Sequence, residues 1–143
     1  VGLTQYANKG HIARAALDAI AFQSRDVLEA MRQDAAESTS HALNTLKVDG
    51  GASVNDLLMQ IQSDCVGINV IRPSDIETTA RGAAYAAAIG AGLMTEDDVF
   101  SVSRDAVATG KVFQPQSSAE VSEASYARWN DAVQRTLNMN PSA

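Results

Sequence analysis

At 143 residues the chain is one domain or less, long enough to bury a core. Its 45% hydrophobic and 20% charged residues are ordinary globular proportions and exclude a disordered chain. A net charge of −6 excludes a nucleic-acid surface built on phosphate contacts.

The one cysteine, Cys65, cannot close an internal disulfide, which points to a reducing, cytoplasmic setting. No apolar run reaches the roughly 18 residues of a membrane span. The nearest, Ala80 to Met94, is rich in Ala and Gly and carries Arg81. No leader pattern precedes the first elements, and the chain opens on Val1 rather than Met, as expected for a piece of a longer protein. The two basic stretches, Arg25 to Arg32 and Arg128 to Arg135, are interleaved with acids and read as solvated helix faces.

The first element is helical, from His11 to about Arg32. Ile12, Ala16, Ile20, Val27 and Met31 form its apolar stripe, flanked by Ala15, Ala19 and Leu28, and Asn8 is its candidate N-cap. Asp34 to Asn44 is polar and reads as a loop, with His41 solvated in it. Thr45 to Val48 alternates polar and apolar, which predicts a short strand. It runs into Asp49-Gly50-Gly51-Ala52-Ser53. A second helix follows, with Val54, Leu57, Leu58, Ile61 and Cys65 as its apolar side. Ser53 and Asp56 have capping-box spacing, and Gly67 is the stop. Ile68 to Arg72 reads as a second strand, ended by Pro73. Thr78 or Thr79 should cap a third helix running to about Ala91 and ended by Gly92. Glu96 to Ala108 reads as a short helix and Gly110 to Gln116 as extended or turning. A last amphipathic helix covers about Val121 to Leu137, with Tyr126, Trp129 and Val133 on one side, and residues 138–143 form a frayed tail. Strands alternating with helices argue an α/β unit with parallel strands, helix-rich overall. Two strands make a poor sheet by themselves, so a further strand is expected, either in this chain or outside it.

The segment richest in chemistry is Lys47-Val48-Asp49-Gly50-Gly51-Ala52-Ser53-Val54-Asn55. A strand delivers the chain to two glycines, which permit a sharp turn and the close approach of a ligand. The free N–H groups and dipole of the next helix favour an anion such as phosphate. Gly51 is the candidate for close backbone approach, and Asn55 could present its amide to a nucleotide. Taken alone, such a turn is an ordinary tight turn more often than a phosphate site. It is not a Walker-type loop, because no Gly-Lys-Ser/Thr follows.

Asp49 to Asp64 (Asp49-Gly50-Gly51-Ala52-Ser53-Val54-Asn55-Asp56-Leu57-Leu58-Met59-Gln60-Ile61-Gln62-Ser63-Asp64) closely resembles the adenosine-site segment of glycerol kinases. Arg72-Pro73, the run Glu77 to Ala87, Gly90-Ala91-Gly92, Phe113-Gln114-Pro115, Tyr126 to Trp129, Ala132-Val133 and Arg135 continue the likeness. Upstream, Gly2-Leu3, His11-Ile12 and Ala15 to Asp18 resemble the second signature of the wider carbohydrate-kinase family, whose first positions would precede Val1. The resemblance covers essentially the whole chain, apart from an insertion-like stretch at Ser38 to Ala42, and departs at Arg81, where the family usually carries an apolar residue.

This resemblance implies the C-terminal part (residues 1–143) of the second, nucleotide-binding domain of a two-domain kinase with the actin/ribonuclease H-like ATPase fold. It implies ATP with Mg²⁺, transfer of the γ-phosphoryl group to glycerol, and an N-terminal domain of the same chain that holds the catalytic base and most glycerol contacts. No catalytic residue and no metal ligand is expected within these 143 residues. The resemblance puts Gly50, Gly51 and Ala52 at the nucleotide phosphates, Asn55 near the nucleoside, and the helix after Thr79 behind the site.

Simpler roles account for the remaining residues. Asp49 reads as a holder of the turn amides, set against an acid–base or metal-linked role. His11 is a capping or surface residue, Cys65 a buried small hydrophobe, and Tyr126 and Trp129 core or interface anchors. Gly82 admits a close helix neighbour. Asp97 and Asp98 serve a helix N-terminus. Two rival functions are a non-catalytic interaction module, which could also self-associate through an uncovered sheet edge, and the same domain of a kinase for another polyol or sugar.

Overall fold

The computed structural model describes residues 2–36 and 44–137. His41, the insertion-like stretch at Ser38 to Ala42 and the tail at 138–143 fall outside the described residues. The order is α1 (Lys9–Ala36), β1 (Thr45–Lys47), a 3-10 turn (Gly51–Val54), α2 (Asp56–Val66), β2 (Asn69–Arg72), α3 (Thr78–Gly90), α4 (Glu96–Ala108), β3 (Lys111–Phe113) and α5 (Ala119–Thr136). The helix-rich α/β reading holds, with strand boundaries within a residue or two. No described helix is long and apolar enough to cross a membrane.

Parallel strands need a crossover, and α2 supplies it between β1 and β2. The two pair in parallel, Leu46 opposite Val70, and Val48 N extends the ladder to Ile71 O at 3.0 Å. The third strand is β3, within the stretch read as extended or turning. It pairs antiparallel with β2, Val70 opposite Phe113 and Arg72 opposite Lys111, so the sheet is mixed and β2 is central. Three residues with only Phe113 buried are too few to show a periodicity.

Helix α2 is buried on two sides. Leu58 and Met59 pack with Val70 and Phe113 against the sheet, while Ile61 and Cys65 pack with Ala21 of α1. Burying side chains of this size contributes about 1.5–3 kcal/mol each. The expected apolar side is therefore partly wrong. Val54 lies in the 3-10 turn, and Val54 and Leu57 are exposed. Nor does Ser53 cap the helix. The 3-10 turn draws Ser53 inward, and Asn55 is the cap, its Oδ1 accepting from Leu58 N at 3.2 Å. At the other end Gly67 adopts a left-handed conformation, as expected of the stop.

The stripe read along α1 also faces the wrong way. Ile12, Ile20, Val27 and Met31 are exposed, whereas Ala21, Arg25 and Leu28 are buried and Leu17 packs beside them. Spacings of four, four and three make Leu17, Ala21, Arg25 and Leu28 one helix face, but its second and third members are a small residue and a cation. Arg25, read as solvated, is 8% exposed. Its guanidinium donates to Cys65 O at 3.2 Å, pairs with Glu123 and lies 4.1 Å over the Tyr126 ring. Tyr126 and Trp129 are anchors as expected, Trp129 stacking on Phe22 at 5.5 Å. Asn8 and His11 cap α1 reciprocally, since Asn8 Oδ1 accepts from Gly10 N and His11 N, and Asn8 N donates to His11 Nδ1.

Helix α3 begins after Glu77 rather than with a capping threonine. It ends in a Schellman motif, Leu93 N to Ala88 O and Gly92 N to Ile89 O, with Gly92 at φ +71°. None of its residues is buried, and a Cβ on Gly82 would meet nothing within 4 Å. The close neighbour expected at Gly82 is absent among the described residues. Arg81, the departure from the family pattern, reaches back to Asp75 Oδ2 at 2.9 Å. At the start of α4, Asp98 Oδ2 accepts from Thr95 N at 2.9 Å, the helix-start role expected of it.

Burial pushes the Cys65 thiol up to about 11. The folded state therefore holds this proton more tightly than the unfolded chain does. Its contribution to stability is complete below the ordinary thiol range and declines as pH rises from there towards about 11. Iodoacetamide at pH 8 should leave native Cys65 unmodified and alkylate it in denaturant, as read by mass spectrometry. In urea melts, Arg25→Ala should cost about 2–4 kcal/mol, because it empties a buried site between α1, α2 and α5. Glu123→Gln, which alters only the exposed partner, should cost under about 1 kcal/mol.

Candidate functional site

The chain leaves β1 and reaches Gly50, whose φ of +78° and ψ of 172° an L residue rarely adopts. Gly50 N donates to Ile76 O at 3.3 Å, tying the turn to the segment ahead of α3. The 3-10 turn closes as Ser53 N and Ser53 Oγ both donate to Gly50 O, at 3.0 and 2.7 Å. Ser53 is 2% exposed and is the buried member of the turn. Gly51 and Ala52 are exposed, and as the first residues of the turn their N–H groups have no acceptor within it. A Cβ built on Gly51 would meet nothing within 4 Å, so open space lies over its backbone.

Gly50, Gly51, Ala52 and Asn55 thus stand together in one exposed turn beyond the carboxyl end of a parallel strand, the position where open α/β sheets bind ligands. Asn55 is split between two uses. Its Oδ1 is committed to the cap of α2, which leaves the Nδ2 donors as the part able to meet a ligand. Asp49 departs from its expected role, because its carboxylate accepts from the Thr78 hydroxyl at the start of α3 rather than from the turn amides. That bond joins the two ends of the loop system, with Gly50 N on Ile76 O beside it.

Three further residues surround the turn, and sequence reasoning missed them. Arg72 Nη1 donates to Ser53 O at 2.7 Å and lies 2.9 Å from Asp56 Oδ1. Lys111 Nζ is 2.6 Å from Asp56 Oδ2. Hydrogen bonding from Lys111 is the largest influence on Asp56; with the smaller help of Arg72 it outweighs the opposing desolvation and holds the carboxyl below the usual range. Beside this cluster, Val54, Arg72, Pro73, Ile76 and Lys111 line an open cleft of about 360 Å³. The available signal was a strand-ending Arg72-Pro73, but a cation 16 positions from its acid has no spacing to betray it. Among the described residues no group of three or more His, Cys, Asp or Glu could hold a metal ion.

Comparison with known proteins sets this turn in context. Residues 1–91 match the FGGY family of carbohydrate kinases, C-terminal domain. A glycerol kinase of Arabidopsis thaliana is 46% identical over 145 aligned positions, covering 97% of this chain and 27% of the relative. One from Azorhizobium caulinodans is 48% identical over 95% of this chain and 26% of its own length. The chain therefore spans about a quarter of the curated relatives it matches. Among solved structures, the Plasmodium falciparum glycerol kinase with ADP superposes at a TM-score of 0.77, with 29% identity, over 96% of this chain and 26% of that one. A xylulose kinase of Rhodospirillum rubrum superposes at 0.67, with 27% identity, over 96% of this chain and 27% of that one. The architecture is thus a part of the actin/hexokinase-like fold of these kinases, with the mixed sheet described above. By the match across residues 1–91, carried on the same strand–glycine turn–helix unit, the chain belongs to the FGGY family of carbohydrate kinases as a piece of its C-terminal domain.

Proposed function

We propose that residues 1–143 form the C-terminal part of the nucleotide-binding domain of a glycerol kinase, which transfers the γ-phosphoryl group of ATP to glycerol to give glycerol 3-phosphate. The observation that carries this reading is the match of nearly the whole chain to glycerol kinases at 44–48% identity. Among solved structures the glycerol kinase superposes better than the xylulose kinase, at 0.77 against 0.67, so another acceptor is the weaker reading. An interaction module without catalysis has no observation in its favour.

The glycine turn fits a nucleotide phosphate on its own geometry. Its first amides lack acceptors within the turn, and the space over Gly51 is open. In this reading the backbone of Gly50, Gly51 and Ala52 approaches the phosphates, and Asn55 Nδ2 faces the nucleoside. Phosphoryl transfer rests on positioning and charge stabilisation, so the task of these residues is to hold the nucleotide in line. Mg²⁺, when bound, would offset the charge of the phosphates, and among this chain's described residues no group of three or more His, Cys, Asp or Glu could hold it. The base that takes the glycerol proton and the glycerol contacts belong, in this proposal, to the three quarters of the relatives' length that the chain does not span. Closure of that part over the turn would exclude water. A cytoplasmic setting accords with an ATP-using enzyme whose cysteine is free and buried.

Calorimetry with ADP on the full-length protein tests the turn. Gly51→Asp puts a carboxylate where a phosphate would sit, in space that accommodates it. The variant should keep its melting temperature and lose at least about tenfold in ADP affinity. Unchanged affinity would remove the turn from the nucleotide site. Residues 1–143 alone should show no glycerol phosphorylation in a coupled assay, because base and acceptor contacts are missing; turnover by them would refute the division of labour proposed here.

A further inference from the structure

We propose that Arg72, with Asp56 and Lys111 behind it, is a positioning residue that holds the glycine turn in register for the nucleotide. The proposal rests on the reading of that turn as the nucleotide site.

The three residues come from three elements: Arg72 ends β2, Lys111 opens β3, and Asp56 opens α2. Arg72 and Lys111 are paired directly across the sheet, where like charges repel. Both also lie against the buried Phe113 ring, at 5.5 and 5.1 Å from its centroid. Asp56 answers both, one carboxylate oxygen to each, at 2.9 and 2.6 Å. The same Arg72 nitrogen that meets Asp56 also donates to Ser53 O at 2.7 Å. From Ser53 the chain of bonds continues through its N and Oγ to Gly50 O. A continuous polar path therefore runs from the far edge of the sheet to the glycine ahead of the exposed amides.

The turn needs such a hold. Val54, its one large apolar side chain, is 59% exposed, so no apolar plug seats the turn in the core. Besides the Gly50–Ile76 bond and the Asn55 cap, what anchors it is Ser53, a buried polar residue, and the arginine on the Ser53 carbonyl. Arg72 is the stronger link, with a side chain only 18% exposed, whereas Lys111 and Asp56 are both more than half exposed. Exposed ion pairs contribute little, so the Lys111 link is the weaker one. A planar guanidinium can serve a carboxylate and a carbonyl together; an ammonium on a flexible stem does so less well.

The test uses the full-length protein, with ADP affinity from calorimetry and KM for ATP and for glycerol from initial rates. Arg72→Met should weaken ADP and raise the ATP KM by about tenfold, the scale of one charge-assisted hydrogen bond. The glycerol KM should stay within about twofold, and Arg72→Lys should recover part of the loss. Lys111→Met should change ADP affinity by no more than about threefold. A split between the two KM values, with rescue by lysine, is not produced by general loosening of the fold. ADP affinity unchanged in Arg72→Met, or a matching rise in the glycerol KM, would overturn the proposal. Should that variant fail to fold, Asp56→Asn weakens both ion pairs at constant volume and decides by the same KM split. Gly51→Asp run alongside separates the two ideas. If it leaves ADP binding intact, the nucleotide reading of the turn falls; if it abolishes binding while Arg72→Met does not, only the brace falls.

Discussion

The arrangement depends on the burial of α2 between the sheet and α1. One side of this helix carries Leu58 and Met59 onto Val70 and Phe113, and the other carries Ile61 and Cys65 onto Ala21. A helix held on two sides has little freedom to slide or roll, because packed side chains interlock at crystal-like density. The glycine turn is continuous with its N-terminus through the Asn55 cap. Fixing the helix therefore fixes one end of the turn.

The polar groups in and around this core are matched to that task. Ser63 is fully buried in α2, with its Oγ 3.0 Å from Ile68 O and 2.9 Å from Phe113 O, so one hydroxyl proton serves the carbonyls of two neighbouring segments. The Asp64 carboxylate accepts from Gln116 N at 2.6 Å and Ser117 N at 3.3 Å, holding the approach to α5. Arg25 links α1 to the C-terminal end of α2 and to α5. Buried polar groups stabilise a fold only when they are paired, and where they are paired they select one arrangement among similar packings. Away from this hub the structure opens. Helix α3 buries none of its residues, and its ties to the glycine turn are the Asp49–Thr78 bond and the Gly50–Ile76 bond.

Much of the fold was legible because local chemistry marks its own boundaries. Gly67 and Gly92 end helices at positive φ, the Asn8 side chain starts α1, and the β1–glycine–α2 passage is set by residues adjacent in sequence. The glycine turn was readable for the same reason: all its parts lie within nine positions. Expectations failed where the deciding partner is remote. The face of α1 could not be chosen by hydrophobicity, because the helix carries apolar residues on both sides and buries the one with Ala21 and Arg25. Ser53 looked like a cap because its spacing to Asp56 is right; the Gly50 carbonyl claimed its hydroxyl instead. Strand β3 carries too few residues to announce itself and exists because β2 offers it an edge.

The sequence by itself determined the order of the helices and the first two strands, the glycine turn and its place at the end of a strand, and the likeness to carbohydrate kinases. The elements and the turn depend on periodicity, capping and backbone freedom, which act over a few residues, while the likeness rests on the residue motifs themselves. Only the tertiary structure decided that β3 joins the sheet antiparallel, that Arg25 is a buried cross-link, and that Arg72, Asp56 and Lys111 meet behind the turn. Those contacts join positions up to 98 residues apart. Charge pairing and burial are properties of neighbours in space, and no spacing along the chain encodes them.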